Sequence, residues 1–258
     1  MKIKFIDRGF KENIVLIPGW AADWRIFSGL DLNYNYLLPV EFTAFNFERE
    51  LIEQLNKLSL DKISLFGWSM GGFMAAGFAV NNPQRVGELI LLSIRQKYES
   101  AQLKEIESKL QAGKNAYLYK FYLACFSEYD KEGLAWFKKN IFKSYLKEME
   151  LNSLIEGLRY LSEAEINLEP LAVLKKVRIF HGAQDKIVPF PPDLLRKSKR
   201  GDKKICSEAA LLKSYLPLNK FSWAEFICMP ETGHIPFLNH KFRQSFYNGV
   251  GKQGHKSL

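Results

Sequence analysis

The sequence predicts an α/β fold: a mostly parallel sheet flanked by helices, with an all-helical insertion between two of its strands. Three observations carry this reading. Across residues 2–93, short apolar runs of strand length alternate with a segment of helical period. Within that span, Lys62–Gly72 (KISLFGWSMGG) joins a buried strand, a sharp glycine-bounded turn and a small-residue helix. From Arg95 to Glu169 the chain becomes charged, aromatic and helix-like, and strand character resumes at Val177. The expected division is a core of residues 1–93 and 170–258 with a helical cap at 94–169.

Lys2–Asp7 alternates apolar and polar residues and reads as an opening strand. Asn13–Ile17 is a buried strand running into Pro18-Gly19-Trp20, and Tyr36–Phe42 is a third strand. Leu51, Ile52, Leu55 and Leu58 place a helix over Glu48–Leu58. Ile63–Phe66 is the strand before the turn, residues 72–80 form the helix behind it, and Val86–Ser93 is the next strand. In the insertion, helices are expected at Glu99–Leu110, Asn115–Phe126, Lys131–Phe142, Ser144–Glu156 and near Leu158–Ala164. Val177–Phe180 and Ala224–Met229 are the late strands. Between them a basic stretch holds a short helix that Ser207 could cap and Pro217 stops. A final helix covers about Phe237–Tyr247.

The chain has 258 residues, 47% hydrophobic and 25% charged, which is ordinary for a globular protein and argues against disorder. No apolar run reaches the roughly 18 residues that span a bilayer. The start of the chain, MKIKFIDRGFKEN, lacks the apolar core of a secretion signal. Three widely spaced cysteines, Cys125, Cys206 and Cys228, form neither a disulfide framework nor a zinc pattern. A cytoplasmic monomer is expected, acting neither on membranes nor on nucleic acid. The formal charge is +9, and the excess is uneven. Residues 194–220 carry eight Lys/Arg against Asp202 and Glu208. The insertion is nearly neutral, yet Lys139, Lys143 and Lys147 recur every fourth residue beside Lys138.

The turn at Gly67-Trp68-Ser69-Met70-Gly71 is a G-x-S-x-G between strand and helix, the setting of a nucleophile elbow. A serine hydroxyl is a poor nucleophile at neutral pH and needs a base, which in turn needs a group to fix its tautomer. Of four histidines, His234 follows the last strand in a Thr-Gly-His turn that can reach back over the sheet edge. His181 leads a loop, His240 falls in the last helix and His255 in the tail. Asp185 follows a late strand and precedes the histidine, whereas Asp193 and Asp202 fall on the wrong side of the loop or in the basic stretch. The order Ser69, Asp185, His234 results. An oxyanion hole needs two backbone N–H groups. Met70, next after the serine, gives one, and Trp20, in the loop after the first buried strand, gives the other. This chemistry requires no cofactor and no metal.

Pro-Gly-Trp at 18–20, Gly-Trp-Ser-Met-Gly-Gly at 67–72, Gly-Ala-Gln-Asp at 182–185 and Gly-His-Ile-Pro-Phe-Leu-Asn-His at 233–240 resemble the α/β-hydrolase superfamily. The two tryptophans and the His-x-Pro-Phe run resemble, within it, the pimeloyl-[acyl-carrier protein] methyl ester esterases of biotin synthesis. That resemblance implies the α/β-hydrolase fold, an acyl-carrier protein as the partner that bears the substrate, and hydrolysis of a methyl ester at the far end of the acyl chain. It implies an apolar channel under the cap, for which Trp20, Trp68 and Phe126 or Phe142 are the candidate linings. It also implies basic cap residues that meet the acidic carrier, for which Lys138, Lys139, Lys143 and Lys147 are candidates. Two features depart from the pattern. Pro18-Gly19 stands where His-Gly is usual, and the basic stretch lengthens the interval from Asp185 to His234. Other readings are a short-chain carboxylesterase or thioesterase acting on free esters, a menaquinone-type lyase that uses the same three residues to abstract a proton, and a non-catalytic binding protein on the same fold.

Overall fold

A computed structural model describes residues 1–189 and 224–248 of the chain. The basic stretch 194–220, Asp193, and the tail with His255 lie outside the described residues. Among the described residues, seven strands form one sheet: β1 (Lys2–Ile6), β2 (Asn13–Ile17), β3 (Asn35–Val40), β4 (Ile63–Trp68), β5 (Val86–Leu92), β6 (Val177–Gly182) and β7 (Ala224–Met229). Their order is β1-β3-β2-β4-β5-β6-β7. β1 pairs antiparallel with β3 at the edge, and every other pairing is parallel. The central strands β2, β4 and β5 are apolar over most of their length and almost wholly buried, because both faces are covered. β1 alternates and stays partly exposed, as an edge strand should.

Helix α1 (Phe47–Lys57) turns Phe47, Leu51 and Leu55 inward, and the expected boundaries hold within one residue. Helix α2 (Met70–Asn81) is apolar all round and buried at all but a few positions, which fits its place behind the central strands. Four of the parallel strands are closely followed by a non-glycine residue with positive φ: Ala21 (57°), Glu41 (54°), Ser69 (53°) and Ser93 (51°). Backbone strain is therefore concentrated along the carboxyl edge of the sheet, where open α/β sheets place their ligands.

Between β5 and β6 the chain forms α3 (Ser100–Ala124, broken by extended backbone at Gly113), α4 (Lys131–Asn140), α5 (Phe142–Glu148) and α6 (Leu151–Glu163). The two ends of this insertion are tied by a bridge between Lys97 and Glu165 and by Ile166 N–H donating to Gln96 O (2.9 Å). Two expected helices are redrawn. The helix expected at Ser144–Glu156 ends at Glu148, and a new one starts at Leu151 and absorbs the segment near Leu158. A break at Ile141 (φ −133°) separates Lys138 and Lys139 on α4 from Lys143 and Lys147 on α5, so the expected lysine face is not one continuous helix surface. The final helix also splits, into a short turn at Pro236–Leu238 and α7 (Lys241–Asn248), because Pro236 opens a separate 3-10 turn; His240 sits between them.

At the amino ends of β5 and β6 lies a buried charge network. Glu88 pairs with Arg178, which is fully enclosed, and with Lys176 at 3.1 Å, and it accepts a hydrogen bond from Tyr34 Oη at 3.0 Å. Arg178 also donates to Phe246 O and lies 3.9 Å from the Phe246 ring centre. Burial, reinforced by Glu88, pushes the Tyr34 phenol far above its ordinary value. Glu88→Ala leaves Arg178 buried without its carboxylate and should cost about 3–5 kcal/mol. Tyr34→Phe should cost about 1 kcal/mol. Urea unfolding measures both. Turnover below the melting transition should be unchanged, because the network lies at the end of the sheet opposite Ser69; a loss of turnover in the folded protein would contradict this.

Candidate active site

The elbow is built by steric exclusion. A Cβ at Gly67 would lie 2.5 Å from the Gly71 carbonyl oxygen, and one at Gly71 would lie 2.3 Å from the Ile17 carbonyl oxygen. Only glycine permits those approaches. Between them Ser69 holds φ 53° and ψ −118°, anchored by its N–H to Leu92 O at 2.9 Å. Met70 is the first residue of α2, so its N–H has no acceptor within the helix and points toward the turn. The loop after β2 passes close by, since a Cβ at Gly19 would be 3.0 Å from Ser69 Cβ. Trp20 follows at once. Its indole donates to Leu154 O on α6 (2.8 Å) and packs edge-on against Phe121, 5.0 Å between ring centres. This fixes the backbone that carries the Trp20 N–H.

Asp185 and His234 converge through a second close approach. A Cβ at Gly182 would lie 2.1 Å from the Gly233 carbonyl oxygen, so the loops after β6 and β7 touch. His234 Nε2 is 3.0 Å from Ser69 Oγ, and His234 Nδ1 is 2.7 Å from Asp185 Oδ2. Asp185 Oδ1 accepts the N–H groups of Ile187 and Val188, both at 2.8 Å, which leaves Oδ2 to the histidine. All three side chains are buried: Ser69 is 7% exposed, Asp185 3% and His234 1%. Burial acts to raise the Asp185 carboxyl, but the charge and hydrogen bond of His234, with His181 and the Val188 N–H, bring it below the ordinary carboxylate range. The array has the hydrogen bonds to move a proton from Ser69 to His234 and to keep the resulting cation beside a carboxylate.

His181 does not lead a loop as expected. It is the penultimate residue of β6, buried, with Nε2 2.9 Å from Val188 O and 3.7 Å from Asp185 Oδ2. Burial lowers its pKa, which favours the neutral ring. Trp68 is not a channel lining. It is 3% exposed beneath the array, with its indole N–H donating to His234 O at 2.7 Å and its ring against Phe237. Phe126 and Phe142 turn into the aromatic core of the insertion, around Phe137 and Tyr122, because that core needs apolar bulk of its own. Trp20 lines a cleft of about 390 Å³, together with Met70, Phe42 and the α6 residues Leu154 and Gly157. Its charged lining residues are Asp23, Glu41, Glu150 and Glu156. Lys138, Lys139, Lys143 and Lys147 are exposed on the insertion. Among the described residues no cluster of His, Cys, Asp and Glu is arranged to hold a metal, and no helix is long and apolar enough to cross a membrane.

Sequence reading missed three residues here. Tyr98 is buried, its phenol pushed up to about 12 chiefly by burial, with Arg95 and Ser69 opposing the shift. Cys125 accepts the His234 N–H on its carbonyl oxygen (2.8 Å), and its thiol is pushed well up by burial. Asp130 accepts the Gly233 N–H (2.7 Å). All three lie in or beside the insertion, and no local pattern ties Tyr98 to the elbow, or Cys125 and Asp130 to a turn more than a hundred residues away; for Asp130 the one signal is its place before α4.

Residues 33–211, more than half of the chain, match the family described as alpha/beta hydrolase fold. The chain belongs to the α/β-hydrolase fold family. A pimeloyl-[acyl-carrier protein] methyl ester esterase of Nitrosomonas europaea is 23% identical to this hydrolase over 254 residues, covering 90% of this chain and 92% of that protein. A 2-hydroxy-6-oxononadienedioate/2-hydroxy-6-oxononatrienedioate hydrolase of Cupriavidus pinatubonensis is 47% identical over 90 residues, 34% of this chain and 26% of that protein. An esterase from Exiguobacterium antarcticum superposes with a TM-score of 0.68 at 18% identity, over 96% of this chain and 94% of that one, a likeness of fold.

The depressed Asp185 pKa sets a pH dependence of stability. Its folded value lies below its unfolded one, so the ionised form contributes stability that is complete above the unfolded value near 4. That contribution is lost as pH falls through the folded value. Between about pH 5 and 2.5, urea midpoints of the wild-type hydrolase should fall more steeply than those of Asp185→Asn. Parallel slopes would show that Asp185 is not held ionised in the folded state.

Proposed function

We propose that this hydrolase is a cytoplasmic serine carboxylesterase that removes the methyl ester from a pimeloyl-type acyl chain carried on acyl-carrier protein, a step of biotin synthesis. The observation that carries the esterase reading is the continuous array Ser69 Oγ–His234 Nε2, 3.0 Å, and His234 Nδ1–Asp185 Oδ2, 2.7 Å. The choice of substrate is supported by the similarity to the Nitrosomonas europaea esterase along nearly the whole chain.

In this reading Ser69 Oγ attacks the ester carbonyl carbon while His234 Nε2 takes its proton. Asp185 Oδ2 accepts the Nδ1–H, fixes the tautomer and balances the imidazolium. The carbonyl oxygen, now negative, is held by the N–H groups of Met70 and Trp20 at the positive end of α2. The tetrahedral intermediate collapses, the C–O bond to the alcohol breaks, and methanol leaves with the proton from His234. Water activated by the same histidine then attacks the acyl-serine, releasing the carboxylic acid and the serine. The dry setting strengthens each of these electrostatic contributions.

A second reading is favoured by the cleft beside Trp20 and Met70. Asp23, Glu41, Glu150 and Glu156 border it and, among the described residues, no lysine or arginine does, which suits a neutral free ester better than an anionic carrier.

Ser69→Ala should lower ester hydrolysis by at least about a thousandfold, and Asp185→Asn should lower kcat by about 10⁴. kcat/KM compared on a carrier-bound methyl ester and on the free methyl ester decides between the substrates. The carrier reading requires preference for the bound ester, and a loss on that ester alone when Lys138, Lys139, Lys143 and Lys147 are changed together to Glu, shrinking in high salt. Equal rates on both esters in wild type and variant would sink it and leave the free-ester reading.

A further inference from the structure

We infer that Asp130, on the helical insertion, is a positioning residue for His234: its carboxylate holds the loop that carries the histidine against the core. Asp130 occupies the position before α4, where an aspartate normally accepts the N–H groups of its own helix's first turn. It makes no such side-chain bond. Its carboxylate turns instead to the loop after β7. Oδ2 accepts the N–H of Gly233 at 2.7 Å and that of Ser127 at 2.9 Å, and Oδ1 accepts the Asn239 side-chain amide at 3.0 Å.

The clamp brackets His234 on both sides in sequence, at Gly233 before it and Asn239 after it. The same segment of the insertion reinforces it, since Cys125 O accepts the His234 N–H and Ser127 Oγ donates to Glu231 O at 3.1 Å. Gly233 has no room for a side chain there: a Cβ would lie 2.6 Å from Cys125 O and 3.1 Å from Asp130 Oδ2. Asp130 is 5% exposed, and no lysine, arginine or histidine pairs with it among the described residues. A buried carboxylate with no cationic partner is kept only where hydrogen bonds satisfy its oxygens, so Asp130 and its three donors hold one another in place. What they hold is the backbone on either side of the ring whose Nε2 has to stay within 3.0 Å of Ser69 Oγ. Asp130 touches no reacting atom and acts through the loop.

The inference rests on the serine-esterase reading only for its rate measurements. Its test is built on a swap. In Asp130→Asn the new amide nitrogen faces the Asn239 amide nitrogen, donor against donor. Adding Asn239→Asp restores a donor facing an acceptor, and the carboxylate introduced there can still take the Lys241 N–H that Asn239 Oδ1 accepts at 2.9 Å. kcat and KM would be measured on a small p-nitrophenyl ester well below the melting temperature, with the rate of Ser69 labelling by a fluorophosphonate. The deshielded proton between His234 and Asp185 would be followed by NMR, which reports the ring's position whatever the substrate is. Asp130→Ala should lower kcat and labelling by about 10- to 100-fold, as expected for a misplaced catalytic group. KM should change by less than about threefold, and the proton resonance should broaden or shift. Asp130→Asn should fall in between, and Asp130→Asn with Asn239→Asp should return to within about threefold of wild type. A folded Asp130→Ala with wild-type kcat and an unchanged resonance would overturn the inference. So would a swapped pair no better than Asp130→Asn, which also serves if Asp130→Ala fails to fold. A wild-type protein that neither turns over esters nor labels would refute the esterase reading instead, leaving the NMR comparison to judge Asp130.

Discussion

Helix α2 meets the end of strand β2 without room for one methyl group. The helix that follows β4 starts so close to the end of β2 that a Cβ on Gly71 would overlap the Ile17 carbonyl oxygen, 2.3 Å away. That contact brings the N–H of Met70 and the loop carrying Trp20 to the same side of Ser69, and it forces the turn between them into a positive φ. Such a backbone costs about 1–3 kcal/mol and persists only where its surroundings over-determine it. Here they do, through α2 buried behind the sheet and the Ser69 N–H anchored on β5. The same device recurs on the far side of the site, where Gly182 and Gly233 bring the acid and the base together. Two close glycine contacts at the carboxyl edge of the sheet thus set the geometry that three side chains use.

The insertion bolts both of those loops from above. On the β2 side, Tyr122 Oη donates to Ala21 O (2.7 Å), Tyr145 Oη accepts the Asp23 N–H (3.1 Å), Arg25 reaches Glu148 (2.7 Å), and Trp20 reaches Leu154. On the β7 side are Cys125, Ser127 and Asp130. At about 1 kcal/mol for each net hydrogen bond, no single one of these decides the fold. Together they couple the packing of the insertion to the alignment of the array. A change in the insertion can therefore alter turnover without touching substrate, while the charge network around Glu88, at the other end of the strands, cannot.

The sheet and the three-residue array were legible in the sequence because each rests on a local signal. Fully buried parallel strands are uninterrupted apolar runs, as at Ile14–Ile17 and Leu89–Leu92, and the elbow announces itself by its glycines. Asp185 and His234 each follow such a run, so strand order alone places them at one edge. The insertion is a different case. Its helices are amphipathic against each other, so Phe126 and Phe142, like Trp68 at the end of β4, carry the same apolar signature whether they line a channel or fill a core. The break at Ile141 has no glycine or proline to mark it, and so the lysine spacing at 139, 143 and 147 suggested a face that the chain does not keep. Asp130 reads locally as a helix cap, and only the fold shows that its carboxylate is used elsewhere.

Charge and chemistry are separated in this molecule, and their magnitudes differ. The array is dry, its members linked at 2.7–3.0 Å, and in such a place a charge–charge contact is worth several kcal/mol. The lysines of α4 and α5 and the acids that border the Trp20 cleft are solvent-exposed or partly so, and each is worth about 0.2–1 kcal/mol before screening by salt. Two of the four acids are already paired, Asp23 with Arg25 and Glu41 with Lys2. The residual field at the cleft is then that of Glu150 and Glu156, too weak to bar an anionic substrate outright and strong enough to slow its approach. Opposing lysines on the neighbouring helices act at the same scale. Surface charge can therefore change how often a substrate arrives and from which side. It cannot supply the stabilisation of the oxyanion, which falls to the two N–H groups that the glycine contact at residue 71 brings beside Ser69.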